Sequence, residues 1–137
     1  MKKLIFLSCY LFSNALVAQT LPQRSENFFL FFQDFCRDSS FQIGRIKFPL
    51  ISLYPDPSID STVTETIKQT EWYFVPIKDF TSNTFEYFFD GFANRELPES
   101  DEMVYAIIGI ENGIQINYYF KRIEGKWYLL KIEDLST

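Results

Sequence analysis

The sequence predicts an α+β fold in which a curved antiparallel sheet wraps around an N-terminal helix and a middle helix. Three observations carry this. Two segments repeat phenylalanine at the spacing of a helical face, and three aromatic or β-branched runs separated by glycine-bearing turns close the chain. Between them lie alternating apolar and polar residues without solenoid repeats or low-complexity linkers, so one domain with one core is expected.

The N-terminus is set apart from that domain. Lys2 and Lys3 precede the apolar run LIFLSCYLF and the small-residue segment SNALVAQ, the layout of a secretory signal. The run is too short for a permanent transmembrane helix, which needs about 20 apolar residues. Residues 1–18 are therefore expected to be a signal peptide and residues 19–137 a single domain, exported to the periplasm or the medium. Cleavage after Ala18 leaves a Gln-started chain; cleavage after Ala15, reading Ser-Asn-Ala, is the alternative. Cys9 follows Phe-Leu-Ser, a faint likeness to a lipoprotein box, but only Leu4 to Ser8 would precede it as apolar core. Lipidation is not expected.

Composition excludes several activities. Without residues 1–18 the chain keeps 11 of its 13 basic residues and all 18 acidic ones, a charge of −7. Such a chain repels phosphate backbones, so nucleic-acid binding is not expected. Histidine is absent, which removes the Ser-His-Asp triad, the Cys-His pair and His-dependent zinc sites. Cys36 would be the lone thiol of the exported domain, expected buried as a small hydrophobe among phenylalanines. Acid/base chemistry would fall to carboxylate, tyrosine or lysine. No cofactor and no metal are expected; the acidic stretch Glu96 to Glu102 lacks the spacing and turn glycine of a calcium loop.

Along the chain, Phe28, Phe31, Phe32 and Phe35 mark an amphipathic helix over 25–37, with Ser25 as N-cap and Asp38-Ser39-Ser40 as its end. RIKFPLISLY alternates with period two and reads as a strand; Pro49 makes it an edge strand or ends its pairing early. YPDPSIDS is a turn-rich loop. TVTETIKQTEWYFVPI reads as one long or two short strands closed by Pro76. Phe85, Phe88, Phe89 and Phe92 predict the middle helix over 83–92, with Asn83 and Glu86 as a capping box and Gly91 weakening its last turn. MVYAIIGI, IQINYYFKRI and KWYLLKIED then form an antiparallel meander. Asn112-Gly113 predicts a type I′ hairpin, and Glu124-Gly125 a second one with a glycine bulge.

The closing hairpin YYFKRIEGKWYLLKIED resembles that of the nuclear transport factor 2-like superfamily. Together with FQDFCRD, RIKFPL and EWYFVPI it is similar to an uncharacterised family of secreted bacterial proteins within that superfamily. The resemblance spans about Phe28 to Glu133 and implies an α+β cone whose sheet wraps an apolar pocket. Members include isomerases, dehydratases, cyclases and plain binding or dimerisation modules, so the fold does not choose an activity. No catalytic residue carries over, since the paired histidines of the dehydratases have no counterpart here.

The expected role is non-enzymatic binding of a small apolar ligand or a protein partner. The alternatives are a histidine-free isomerase, dehydratase or cyclase on a hydrophobic substrate, and a structural homodimer formed through the sheet. Candidate binding residues are Trp72, Tyr105, Tyr118, Tyr119 and Arg122. The aromatic doublets Trp72-Tyr73, Tyr118-Tyr119 and Trp127-Tyr128 should each send one ring inward and one outward, the outward ones being ligand contacts, an oligomer interface or cross-strand pairs. Tyr105 and Tyr118, on neighbouring strands, and Asp90 are the conceivable acid/base members. Arg45, Lys47, Lys121, Arg122, Lys126 and Lys131 would form an anion site if their faces converge.

Overall fold

The computed structural model describes residues 25–56, 58, 61–76, 83–90 and 100–137. The expected signal segment, its cleavage points and Cys9 lie outside the described residues, as do Glu96 and Glu99. Six strands form one curved, unclosed sheet, with two short helices on its inner face. The strands are β1 (Ile46–Asp56), β2 (Ser61–Ile67), β3 (Thr84–Asp90), β4 (Glu102–Gly109), β5 (Gln115–Ile123) and β6 (Lys126–Asp134). Their order is β2-β1-β6-β5-β4-β3, and only β1 and β6 run parallel.

The first helix, α1 (Phe28–Phe35), begins later than its periodicity suggests, because Asn27 and not Ser25 caps it: the Asn27 side chain accepts from the Leu30 N–H at 3.1 Å. Its stripe of Phe28, Phe31, Phe32 and Phe35 is buried against the sheet. All four rings meet one residue of β5, Phe120, with centroids 5.3 to 5.9 Å apart and planes tilted 70° to 88°. Each such edge-to-face pair adds about 0.5–1.5 kcal/mol beyond the burial of its area. Cys36 closes α1 and is buried, as expected.

Asp38 does more than end α1. Its carboxylate accepts from the Phe41 N–H at 2.9 Å and starts α2 (Ser39–Gly44), a helix that the periodicity did not announce. This turn delivers Gln42, which is fully buried. Its amide Nε2 donates to the carbonyls of Phe35 and Val75 at 3.0 and 2.9 Å, and its Oε1 accepts from Trp72 Nε1 and Val75 N at 3.0 and 3.1 Å. Three of these bonds tie α2 to the segment after β2, and the fourth ties it to the end of α1. An apolar residue there would orphan four polar groups, each costing about 1–3 kcal/mol when buried.

The middle helix is overturned. Residues 84–90 form β3, paired in full register with β4 from Thr84↔Gly109 to Asp90↔Met103. A short aromatic run satisfies the helical spacing and the strand period alike. TFEYFFD is rich in aromatic residues that favour strands, and β4 offers it a complete ladder. Phe88 faces inward against Phe32 and Tyr105, while Phe85, Tyr87 and Phe89 lie on the outer face. Asp90 accordingly ends a strand and is not a helical residue.

Further differences concern strand pairing and turns. β1 is an interior strand, flanked by β2 and β6, so Pro49 does not mark an edge; it interrupts pairing, with the β2 ladder starting at Leu50 and the β6 register shifting between Ile46 and Ile51. β1 also continues through Tyr54–Asp56 into the expected loop. TVTETIKQTEWYFVPI supplies one strand, a 3-10 turn over Gln69–Glu71 and an irregular stretch. Glu124 and Gly125 both have positive φ, 49° and 77°, in a two-residue hairpin, so this turn and not Asn112-Gly113 has the type I′ signature. At the other end Glu111 and Gly113 take positive φ in a longer loop, where a Cβ on Gly109 would overlap the Asn112 side chain.

The two-residue turn has a structural consequence, because it sets Arg122 opposite Trp127. Trp127 is then clamped by the entry to α1: its N–H donates to Glu26 Oε2 at 2.8 Å and its indole Nε1 to the Glu26 carbonyl at 2.9 Å. Arg45 holds the same carboxylate through both terminal nitrogens, at 2.7 and 2.8 Å. Burial alone would raise the pKa of Glu26, but the hydrogen bonds from Arg45 and Trp127 outweigh it and hold the group below its ordinary 4.5. Because the folded value is the lower one, the unfolded chain binds the proton more readily, and stability is present above pH 4.5 and lost as pH falls through the folded value. Urea titrations between pH 3 and 7 should show Glu26→Gln less stable by on the order of 2 kcal/mol at neutral pH, with the gap from the parent narrowing below pH 4.5. A gap independent of pH would assign the clamp no ionic part.

Candidate functional site

The five residues singled out by sequence do not converge. Tyr105 and Tyr118 are cross-strand partners on the inner face and belong to the core. Tyr105 is fully buried, and burial followed by the charge and hydrogen bond of Glu86 lifts its pKa well above the usual tyrosine value. Burial and then the charge of Asp134 push Tyr118 up to about 12. Trp72 lies at the margin of the core, bonded to Gln42 and edge-on to Phe48. Tyr119 is on the outer face, and its hydroxyl donates to Glu133. Its pKa rises to about 12 through burial and the Glu133 contact, which outweigh a hydrogen bond from Asn117. All three tyrosines are thus protonated at neutral pH, able to donate and unable to act as bases.

The basic residues do not form a common anion site either. Arg45 is held by Glu26, Lys121 by Glu102 at 2.7 Å, Arg122 by Asp101 at 2.6 Å and Lys131 by Glu133 at 3.6 Å. Lys47 sits 3.9 Å from the Tyr128 ring centroid. Asp101 and Glu102, the last residues of the acidic stretch, are therefore the counter-charges of β5. Among the described residues, no group of three or more Asp, Glu or Cys is placed to hold a metal ion.

One cleft gathers the features of a binding site. It measures about 290 Å³ and is lined by Glu26, Asn27, Phe28, Phe29, Ser100, Met103, Arg122 and Trp127. The start of α1 forms one wall. Met103 of β4 and the Arg122–Trp127 pair of the β5–β6 hairpin form the other. The Arg122 guanidinium lies 5.2 Å from the Trp127 ring centroid, and its side chain is 19% exposed. Phe29 stands 47% exposed beside it. Glu26 also borders the cleft, but Arg45 and the Trp127 N–H already satisfy its carboxylate. Of the eight lining residues, only Arg122 was among the sequence-stated candidates. Trp127 was legible as its cross-strand neighbour once a two-residue turn is assumed; Phe29 and Met103 carried no signal, because only the packing of α1 on β4 brings them together.

A second cleft, of about 240 Å³, lies where β5 and β6 change register. Glu102, Val104, Tyr119, Lys121, Leu130 and Lys131 are among its lining residues. The Lys131 ammonium lies 3.7 Å from the Tyr119 ring centroid, and the two lysines are paired with Glu133 and Glu102.

A family described as "Domain of unknown function (DUF4348)" matches residues 8–134. No curated protein matches. Among solved structures, the chain is similar to an NTF2-like protein from Bacteroides fragilis, with 28% identity, a TM-score of 0.65 and coverage of 84% of this chain. It spans 49% of that protein's length. A protein from Bacteroides uniformis shares the fold at 21% identity and a TM-score of 0.52, over 80% of this chain and 77% of the other. The architecture and the match over nearly the whole sequence agree: the chain belongs to this domain family of unknown function, and its fold is nuclear transport factor 2-like.

Proposed function

We propose that this chain is a non-enzymatic binding module that holds a small molecule with an apolar body in the cleft between the start of α1 and the Arg122–Trp127 pair. The observation that carries the reading is the contrast between interior and margin. The inner face of the sheet is packed with rings, whereas at its margin exposed Phe29 and the edges of the core residues Met103 and Trp127 line an open cleft of about 290 Å³. That volume is at the small end of ligand pockets, which are mostly apolar with a few polar groups that orient the ligand. The fold fits a module that binds or processes small molecules. Tyr105 with Glu86 is a tyrosine–carboxylate pair of the kind acid/base work needs, but Tyr105 is fully buried and lines neither cleft. This favours binding over catalysis. Export across the inner membrane, read from residues 1–18, places the ligand outside the cytoplasm in this proposal.

A second reading rests on the outer face. Phe85 and Tyr87 of the edge strand β3 are each more than 40% exposed on it, an apolar patch that a second copy of the chain would cover. This reading makes the sheet a homodimer interface and leaves the cleft free.

The two are tested separately. In NMR titrations naphthoate or naphthalenemethanol should bind saturably at one site, with shifts at Phe29, Met103, Arg122 and Trp127; saturation of neither compound, or shifts centred elsewhere, contradicts the binding reading. For the dimer, sedimentation should give twice the chain mass at micromolar concentration, returning to monomer in Phe85→Ser/Tyr87→Ser. A mass that stays monomeric at all concentrations excludes that interface.

A further inference from the structure

We propose that the ligand of this cleft is a monoanion, a carboxylate on an apolar body, and that Arg122 is the residue that selects it; this rests on the binding reading above. The guanidinium carries five N–H groups. Its Nε donates to Asp101 Oδ1 at 2.6 Å, and its plane rests against Trp127. The backbone fixes the same geometry, since the Arg122 N–H donates to the Asp101 carbonyl at 2.7 Å. The terminal nitrogens have no acceptor among the described residues, and the side chain lines the cleft. A guanidinium held on one edge and one face, with its remaining N–H groups directed along a fork, matches the two oxygens of a carboxylate. The price of ordering the side chain has been met before the ligand arrives.

Charge selects the monoanion over a dianion. Glu26 borders the cleft and Asp101 lies behind Arg122, each matched by one arginine. A singly charged ligand shares the Arg122 charge with Asp101. A phosphate monoester would bring a second negative charge beside two carboxylates in a chain whose formal charge is already −5. The apolar body follows from Phe28, Phe29, Met103 and Trp127, which leave a ring or short alkyl chain between α1 and β4.

The experiment compares naphthoate, naphthalenemethanol and naphthyl phosphate on the full chain by calorimetry. Charge-assisted hydrogen bonds predict that naphthoate binds at least about tenfold more tightly than the alcohol, and more tightly than the phosphate. Arg122→Gln should remove that preference, and Lys121→Gln, which deletes a charge from the outer face, should retain it. Asp101→Asn keeps the guanidinium but loosens it, and should give an intermediate preference should Arg122→Gln fold poorly. Equal binding of acid and alcohol by the parent chain, or a preference that survives Arg122→Gln, overturns the carboxylate assignment and leaves the binding reading standing. Failure of all three compounds to bind overturns both.

Discussion

Everything in this molecule is arranged around the contact of four α1 phenylalanines with the single ring of Phe120. A helix of eight residues is too short to be stable alone. It persists because its phenyl stripe finds a sheet to cover and the sheet finds a ring-shaped lid. Phe120 stands beside the β5–β6 register shift and shares the inner face of β5 with Tyr118, two residues before it. The same contact that stabilises the fold fills the cone, so the site of interest moves from the interior to its margin.

Two polar hubs fix where that margin lies. Gln42 ties the helices to the segment before Pro76. Glu26 ties the start of α1 to Arg45 and to the Trp127 backbone. Each is a fully used hydrogen-bonding group in or beside the core, costly to leave half satisfied and therefore specific for one arrangement. The Glu26 hub also determines the cleft, because it holds Trp127, the cross-strand partner of Arg122, beside the start of α1.

Much of this was legible in the sequence, and the limits have physical causes. The meander was readable because alternating runs and glycine turns specify both strand and register locally. α1 was readable because its four phenylalanines span two full turns. The segment around Phe88 was misread, since seven aromatic-rich residues fit either period and only the presence of β4 as a partner decides. Turn chemistry exchanged places: Asn112-Gly113 has the favoured composition, yet Gly109 packs against Asn112 and the chain needs a longer loop, while Glu124 accepts the positive φ. For the site, Arg122 was named from charge alone. Phe29 and Met103 are 74 residues apart in sequence, and nothing local announces that they share a wall.

The central claim is that a ring-filled interior leaves binding to the margin beside Arg122. It is tested most directly by a crystal structure of the chain with naphthoate. The account predicts the naphthyl ring between Phe29, Met103 and Trp127, its carboxylate on the Arg122 guanidinium, and the contacts of Phe120 with α1 unchanged. A ligand found inside the sheet with α1 displaced, or seated on the outer face, would contradict it.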